Sequence, residues 1–186
     1  NCRESLYNSA KLKCDEERLP KAGAMDPVNQ QQAEREALRG QVNRAELRER
    51  ITQAVPTDGT IQPLPGLHLS RAAVPRAQMP SVVEPSLCVV AQGSKEVLMG
   101  KSRYLYDPYH YLLTTVQLPR ISQILEASPA QPYLSLRLEL PPTLVGSVMV
   151  ETGHTAASDA DIRAVDVSPL DGNLLDAIVR LVRLLE

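Results

Sequence analysis

Between Thr57 and Leu140 the apolar residues arrive in short runs broken by turn signals at regular intervals. "SLCVVAQ" meets Gly93-Ser94, "KEVLM" meets "GKS", and "RYLY" meets Asp107-Pro108. "YHYLLTTVQL" then stops at Pro119, "RISQILEA" at Ser128-Pro129, and "PYLSLRLEL" at Pro141-Pro142. Runs of roughly 5–9 residues with breaks every 8–12 predict antiparallel strands of a sandwich or barrel. No strand–helix alternation interrupts them, which excludes a parallel α/β sheet. Gly93-Ser94 supplies a bend or a hairpin turn, and Asp107 caps its own turn.

The flanks have another period. From about Pro27 to Val55 the chain is rich in Gln, Glu, Arg and Ala, all good helix formers. Leu47, Ile51 and Val55 fall at i, i+4 and i+8 and give one apolar stripe, so the last turns of this helix are expected to dock on a domain. Leu38, Val42 and Ala45 lie on a different side, Gly40 weakens the middle, and Pro56 stops it. After Pro142, "TLVGSVMVETG" reads as a short helical turn and "HTAASDADIRAVDV" as loop followed by strand. In Ser168-Pro169-Leu170-Asp171 a capping hydroxyl, a first-turn proline and an acid predict a helix from Pro169. Leu174, Ile178, Leu181 and Leu185 form its stripe, with Leu175, Val179 and Val182 beside them. That arc exceeds the ~100° needed to face one core, so the four stripe residues are expected to form a dimer interface. The expected organisation is a leader over 1–24, vector-derived or disordered, with Met25 as a natural start. A helical segment over 25–56, a β domain over 57–168 and a dimerisation helix over 169–186 follow.

Composition removes several functions. The 186 residues carry a formal charge of −2 and a pI near 6.0, which is no electrostatic footprint for nucleic acid. No apolar run approaches ~18 residues, so no membrane span is expected. The three cysteines, Cys2, Cys14 and Cys88, show no Cys-x-x-Cys spacing, and Cys88 in "SLCVVA" reads as a small buried hydrophobe. Cytoplasmic residence is the simplest expectation.

A set of motifs then becomes specific in combination. Val-Ala-Gln-Gly at 90–93 is followed by Lys95, Gly100, Tyr-x-Tyr-Asp-Pro at 104–108, Tyr111-Leu112 and Leu118-Pro119. Glu126-Ala127-Ser128-Pro129 and Pro-Tyr-Leu-x-Leu-Arg-Leu at 132–138 complete it. The run resembles the N-terminal domain of one branch of AraC-type transcriptional regulators, over roughly Leu47 to Leu185. The resemblance implies a mainly β fold, a cupin-like β-barrel of the double-stranded β-helix type, with flanking helices that pair between subunits. It implies effector sensing and homodimerisation, with DNA bound only through a second, helix-turn-helix domain that nothing in this chain resembles. The chain is therefore expected to be a truncated sensory fragment.

The competing readings are a cupin-like enzyme and a dimerisation domain without a ligand. Cupin enzymes hold a metal with two histidines one residue apart, a nearby Glu and a later His. Here His68, His110 and His154 lie more than forty residues apart, so neither a metal nor another cofactor is expected. His110 reads as a turn histidine at the surface. The serines lack the glycine elbow that exposes a nucleophile, and no catalytic residue is assigned. Four of the six tyrosines fall between Gly100 and Pro119 in a chain with neither Phe nor Trp. Tyr104 and Tyr106 share a strand face opposite Leu105, and Tyr111 follows on the next strand. A phenol has an apolar body and a polar tip, so Tyr104, Tyr106 and Tyr111 either line an effector pocket or shield the outer face. Arg137 and Glu139 share a face opposite Leu136 and Leu138. Inside, they would need partners; Glu139 is expected outside, Arg137 is a candidate ligand contact, and Lys95 is expected to be exposed.

Overall fold

A computed structural model describes residues 27–153 and 163–185. The proposed leader, Cys2, Cys14, His154 and most of the expected loop before the last strand lie outside the described residues. Helix α1 (Pro27–Ala54) opens the fold, then come strands β1 (Gly59–Leu64), β2 (Leu67–Ala72), β3 (Arg76–Val83), β4 (Ser86–Gln92), β5 (Ser94–Met99), β6 (Ser102–Tyr106), β7 (His110–Thr114), β8 (Leu118–Glu126) and β9 (Tyr133–Glu139). Helix α2 (Pro142–Thr152), strand β10 (Val165–Pro169) and helix α3 (Gly172–Arg183) complete it. The strands form two antiparallel sheets, β1-β2-β9-β4-β7-β10 and β3-β8-β5-β6. The fold is mainly β with flanking helices, as expected. Among the described residues no ladder joins the two sheets, so the barrel is an open one.

The six-stranded sheet is covered on both faces, and strand alternation divides its residues between two cores. Leu67, Leu69, Leu87, Val89, Ala91, Leu134 and Leu136 meet Leu47, Ile51 and Val55 of α1 and Leu175, Ile178, Val179 and Val182 of α3. Cys88, Val90, Leu112 and Tyr133 point the other way and meet Val97, Met99, Tyr106 and Ile124 of the smaller sheet. Central β4 is buried at nearly every position, which is why "SLCVVAQ" reads as a continuous apolar run rather than an alternating one.

Two local expectations change and one narrows. Of the bend or hairpin expected at Gly93, the bend is found: β4 and β5 belong to different sheets, and Gly93, at φ +82°, turns the chain from one to the other. Helix α3 does not begin at Pro169, because that proline still pairs with His110 as the last residue of β10. Asp171 is the cap instead, accepting from the amides of Asn173 and Leu174 at 2.8 and 3.0 Å. The short turn expected after Pro142 is the 11-residue α2, which buries none of its residues.

Candidate functional site

At one end of the space between the sheets, apolar packing gives way to a polar cavity of about 210 Å³. Alternation on β9 sends Tyr133, Ser135 and Arg137 into it, while Leu134 and Leu136 take the helix side. Across the ladder, β2 adds His68 and Ser70, and β4 adds Cys88. The facing sheet contributes Lys95 and its cross-strand partner Tyr106, together with Arg120 from β8. Thr60 closes the rim, bonded hydroxyl to hydroxyl with Ser70 at 2.9 Å. A neighbouring space of about 230 Å³, lined also by Arg76 and Ser122, shares Lys95, Arg120 and Tyr133.

The charges here do not balance. Arg137 donates to Glu139 at 3.0 Å, and His68 Nε2 lies 2.9 Å from the same carboxylate oxygen. The bond to His68, reinforced by Arg137, holds the Glu139 carboxyl below its usual range. Lys95 has no carboxylate within ion-pair reach among the described residues, and neither has Arg120. Burial, followed by the like charge of Arg120, pulls the Lys95 ammonium from 10.5 down to about 8. Arg120 donates through Nε to Ser81 at 3.1 Å, but its Nη1 is buried without a partner. The Tyr133 hydroxyl is likewise buried; Ser135 is close enough to favour its ionised form, but the two make no hydrogen bond of good geometry, and burial drives the phenols of Tyr133 and Tyr106 upward in pKa.

The residues singled out from sequence are dispersed. Tyr106 is 1% exposed and lines the cavity. Tyr104 shares its inward face but lines an open groove with Met99, Leu118, Val165 and Val167. Tyr111 lies on the opposite face of the large sheet, against the helical core. Arg137 is in the cavity wall, and Glu139, expected outside, is a half-buried anchor beside it. Lys95, expected exposed, points inward because β5 starts one residue after the corner at Gly93. Arg120, Tyr133 and Ser135 were missed; their signal is an every-second-residue spacing within "RISQILEA" and "PYLSLRLEL". His110, expected in a surface turn, is instead the half-buried first residue of β7, with its Nδ1 2.8 Å from Asp107, and Asp107 also accepts from the amide of Tyr109. The α3 stripe is largely used within the chain: Ile178 is 4% exposed, and Leu174, Leu181 and Leu185 pack partly on the same core. The arc too broad for one neighbour has two, the sheet and α1. Among the described residues no group of three or more His, Cys, Asp or Glu stands together as a metal site.

The family model described as AraC-type transcriptional regulator N-terminus matches residues 63–186. No curated protein matches the chain significantly. Among solved structures, apo ToxT from Vibrio cholerae is similar at 10% identity and TM-score 0.41, over 64% of this chain and 47% of that one. Salicylate 1,2-dioxygenase from Pseudoaminobacter salicylatoxidans, as adducts with gentisate, is similar at 13% identity and TM-score 0.23, over 55% of this chain and 22% of that one. The present chain thus spans less than half the length of either.

Proposed function

Given that the chain belongs to the family of AraC-type transcriptional regulator N-termini, we propose that it senses a small polar effector in the cavity between its two sheets. One observation carries this reading: a polar, partly open cavity between the sheets holds Arg120 Nη1, buried and without a hydrogen-bond partner among the described residues, beside the buried Tyr133 hydroxyl, whose one near polar neighbour is Ser135. Buried polar groups in folded proteins nearly always find partners, and unpaired ones facing a cavity suit a ligand. A thermal-shift screen of small polar metabolites against the full chain tests it. Hits are expected, and Ser135→Leu, which fills the cavity from β9, should abolish their stabilisation. Hits that stabilise Ser135→Leu equally, or no hits at all, count against the site.

The proposal extends to the parent regulator. Its DNA contacts belong to a helix-turn-helix domain outside these residues, and its place is the cytoplasm; no helix among the described residues is long and apolar enough to cross a membrane. Self-association uses Leu174, Leu181 and Leu185, which keep part of their surface exposed, while Ile178 supports them from the core. Sedimentation of Leu185→Ser against the unmodified chain tests that interface, and equal monomer content in both argues against it.

A further inference from the structure

We propose that the cavity is an oxyanion site, so that the effector is a small metabolite bearing a carboxylate or a phosphate, gripped by Lys95 and Arg120. The inference rests on the effector reading above and narrows it by charge.

Three cations line the cavity, and only one of them is answered. Arg137 is committed to Glu139, which also bonds His68, so that side of the wall is neutralised in place. Lys95 and Arg120 face the same space with no carboxylate in reach among the described residues. Withdrawing charge from water without a counter-charge is costly, and two like charges sharing one space add to the cost. Lys95 can relieve it by losing a proton, but the arginine guanidinium cannot. A fold that kept these groups for packing alone would be better served by apolar side chains of similar volume.

The unmet hydrogen bonds have the same polarity. Lys95 and the free arm of Arg120 offer only donors, and the Tyr133 hydroxyl has a proton to give. The missing partner is therefore an acceptor, and bonds from charged donors to an anionic oxygen are about twice as strong as neutral ones. A neutral sugar or amide would fill the space and leave both charges standing. Size sets the other limit. With a water's share of liquid near 30 Å³, the roughly 210 Å³ cavity corresponds to about seven waters. The mostly polar wall favours a compact anion over a long apolar chain.

The test uses the full chain with three probes: inorganic phosphate, succinate, and succinamide as the uncharged analogue of succinate. Calorimetry and thermal shift should show that phosphate or succinate binds and stabilises, and the stronger of the two identifies the anionic group. Succinamide should bind at least tenfold more weakly. Lys95→Met and Arg120→Met should each lose at least tenfold in anion affinity, and Tyr133→Phe about tenfold. Without ligand, Lys95→Met should melt at the wild-type temperature or above it, because it removes an unanswered charge. Succinamide or another neutral compound binding wild type and Lys95→Met alike, with its effect lost in Ser135→Leu, overturns the anion inference and leaves the effector reading standing. No binding by any charged or neutral probe overturns both. A ligand-free Lys95→Met that melts lower or does not fold overturns the premise that the charge is unanswered.

Discussion

Lys95 is where burial and charge conflict most directly, and the conflict sets a pH dependence. Its folded pKa, about 8, lies below the ordinary 10.5, so below pH 8 the folded chain carries a charge it disfavours. As pH rises from 8, the folded form sheds that proton while the unfolded chain keeps it, and stability increases. The gain runs at up to about 1.4 kcal/mol per pH unit, or about 2 kcal/mol by pH 9.5, reduced by whatever solvent reaches the ammonium. Tyr106 and Tyr133 set the upper limit: their raised folded pKa values give stability that is present below pH 10 and lost above it. Arg120, Arg137, Arg76, His68 and Cys88 also face this region, so the comparison must be made against Lys95→Met. Urea midpoints at pH 7.5 and 9.5 should rise in the wild type relative to that variant; parallel profiles argue against a strained ammonium. Gly93 is the second residue whose place is forced. At φ +82° a side chain is strained, and a Cβ would stand 2.3 Å from the carbonyl oxygen of Glu126. Gly93→Ala should cost about 3 kcal/mol or more, combining left-handed strain with backbone overlap. Chemical denaturation measures this, and a loss under 1 kcal/mol would mean that the corner relaxes easily.

At the scale of elements, α1 and α3 act as a pair held by apolar packing and one ionic clasp. Arg183 forks onto Glu46 through Nε and Nη2 at 2.7 and 2.6 Å, and Arg50 adds a bond at 2.7 Å. The bond from Arg183, followed by that from Arg50, lowers the Glu46 carboxyl from 4.5 to about 2. Its contribution is therefore present above pH 4.5 and lost as pH falls toward 2. Arg183 is partly in solvent, so screening keeps the effect near 1 kcal/mol. Glu46→Gln should thus unfold more easily at pH 7, and the gap to wild type should close near pH 2; a gap unchanged at low pH would assign the loss to packing instead. Much of this layer was legible from periodicity. Leu47, Ile51 and Val55 announced a docking stripe, and Pro56 its end. What periodicity could not tell was the partner: a broad apolar arc on α3 looks the same whether a second subunit or α1 covers it. The start of α3 departs from its local signal for a related reason, since Ser168-Pro169 carries a capping pattern that pairing with β7 overrides.

For the whole molecule, strand count and turn spacing specified the layered β fold, but the site depended on which strands face each other across the sheets. Tyr106 and Arg137 were visible as candidates because their types are conspicuous. Lys95 and Arg120 were not, because a lone cation in a strand reads as solvent-facing until the opposite sheet is in place. The same arrangement governs how the chain meets DNA. Duplex binding depends on Lys and Arg neutralising phosphates along an exposed track, with each contact adding to the salt dependence. Here the net charge is −2, and Lys95, Arg120 and Arg137 are turned toward an interior cavity. Many remaining basic groups are paired locally, as in Arg103 with Glu96, Arg163 with Asp166 and Arg180 with Asp176. These 186 residues alone should therefore show no sequence-dependent DNA binding at physiological salt. Fluorescence anisotropy with labelled duplexes checks this: weak binding that is equal across sequences and disappears with added salt fits the expectation. A duplex bound tightly and preferentially would demand a recognition surface on the sheets or on α1, and would place DNA contact within these residues.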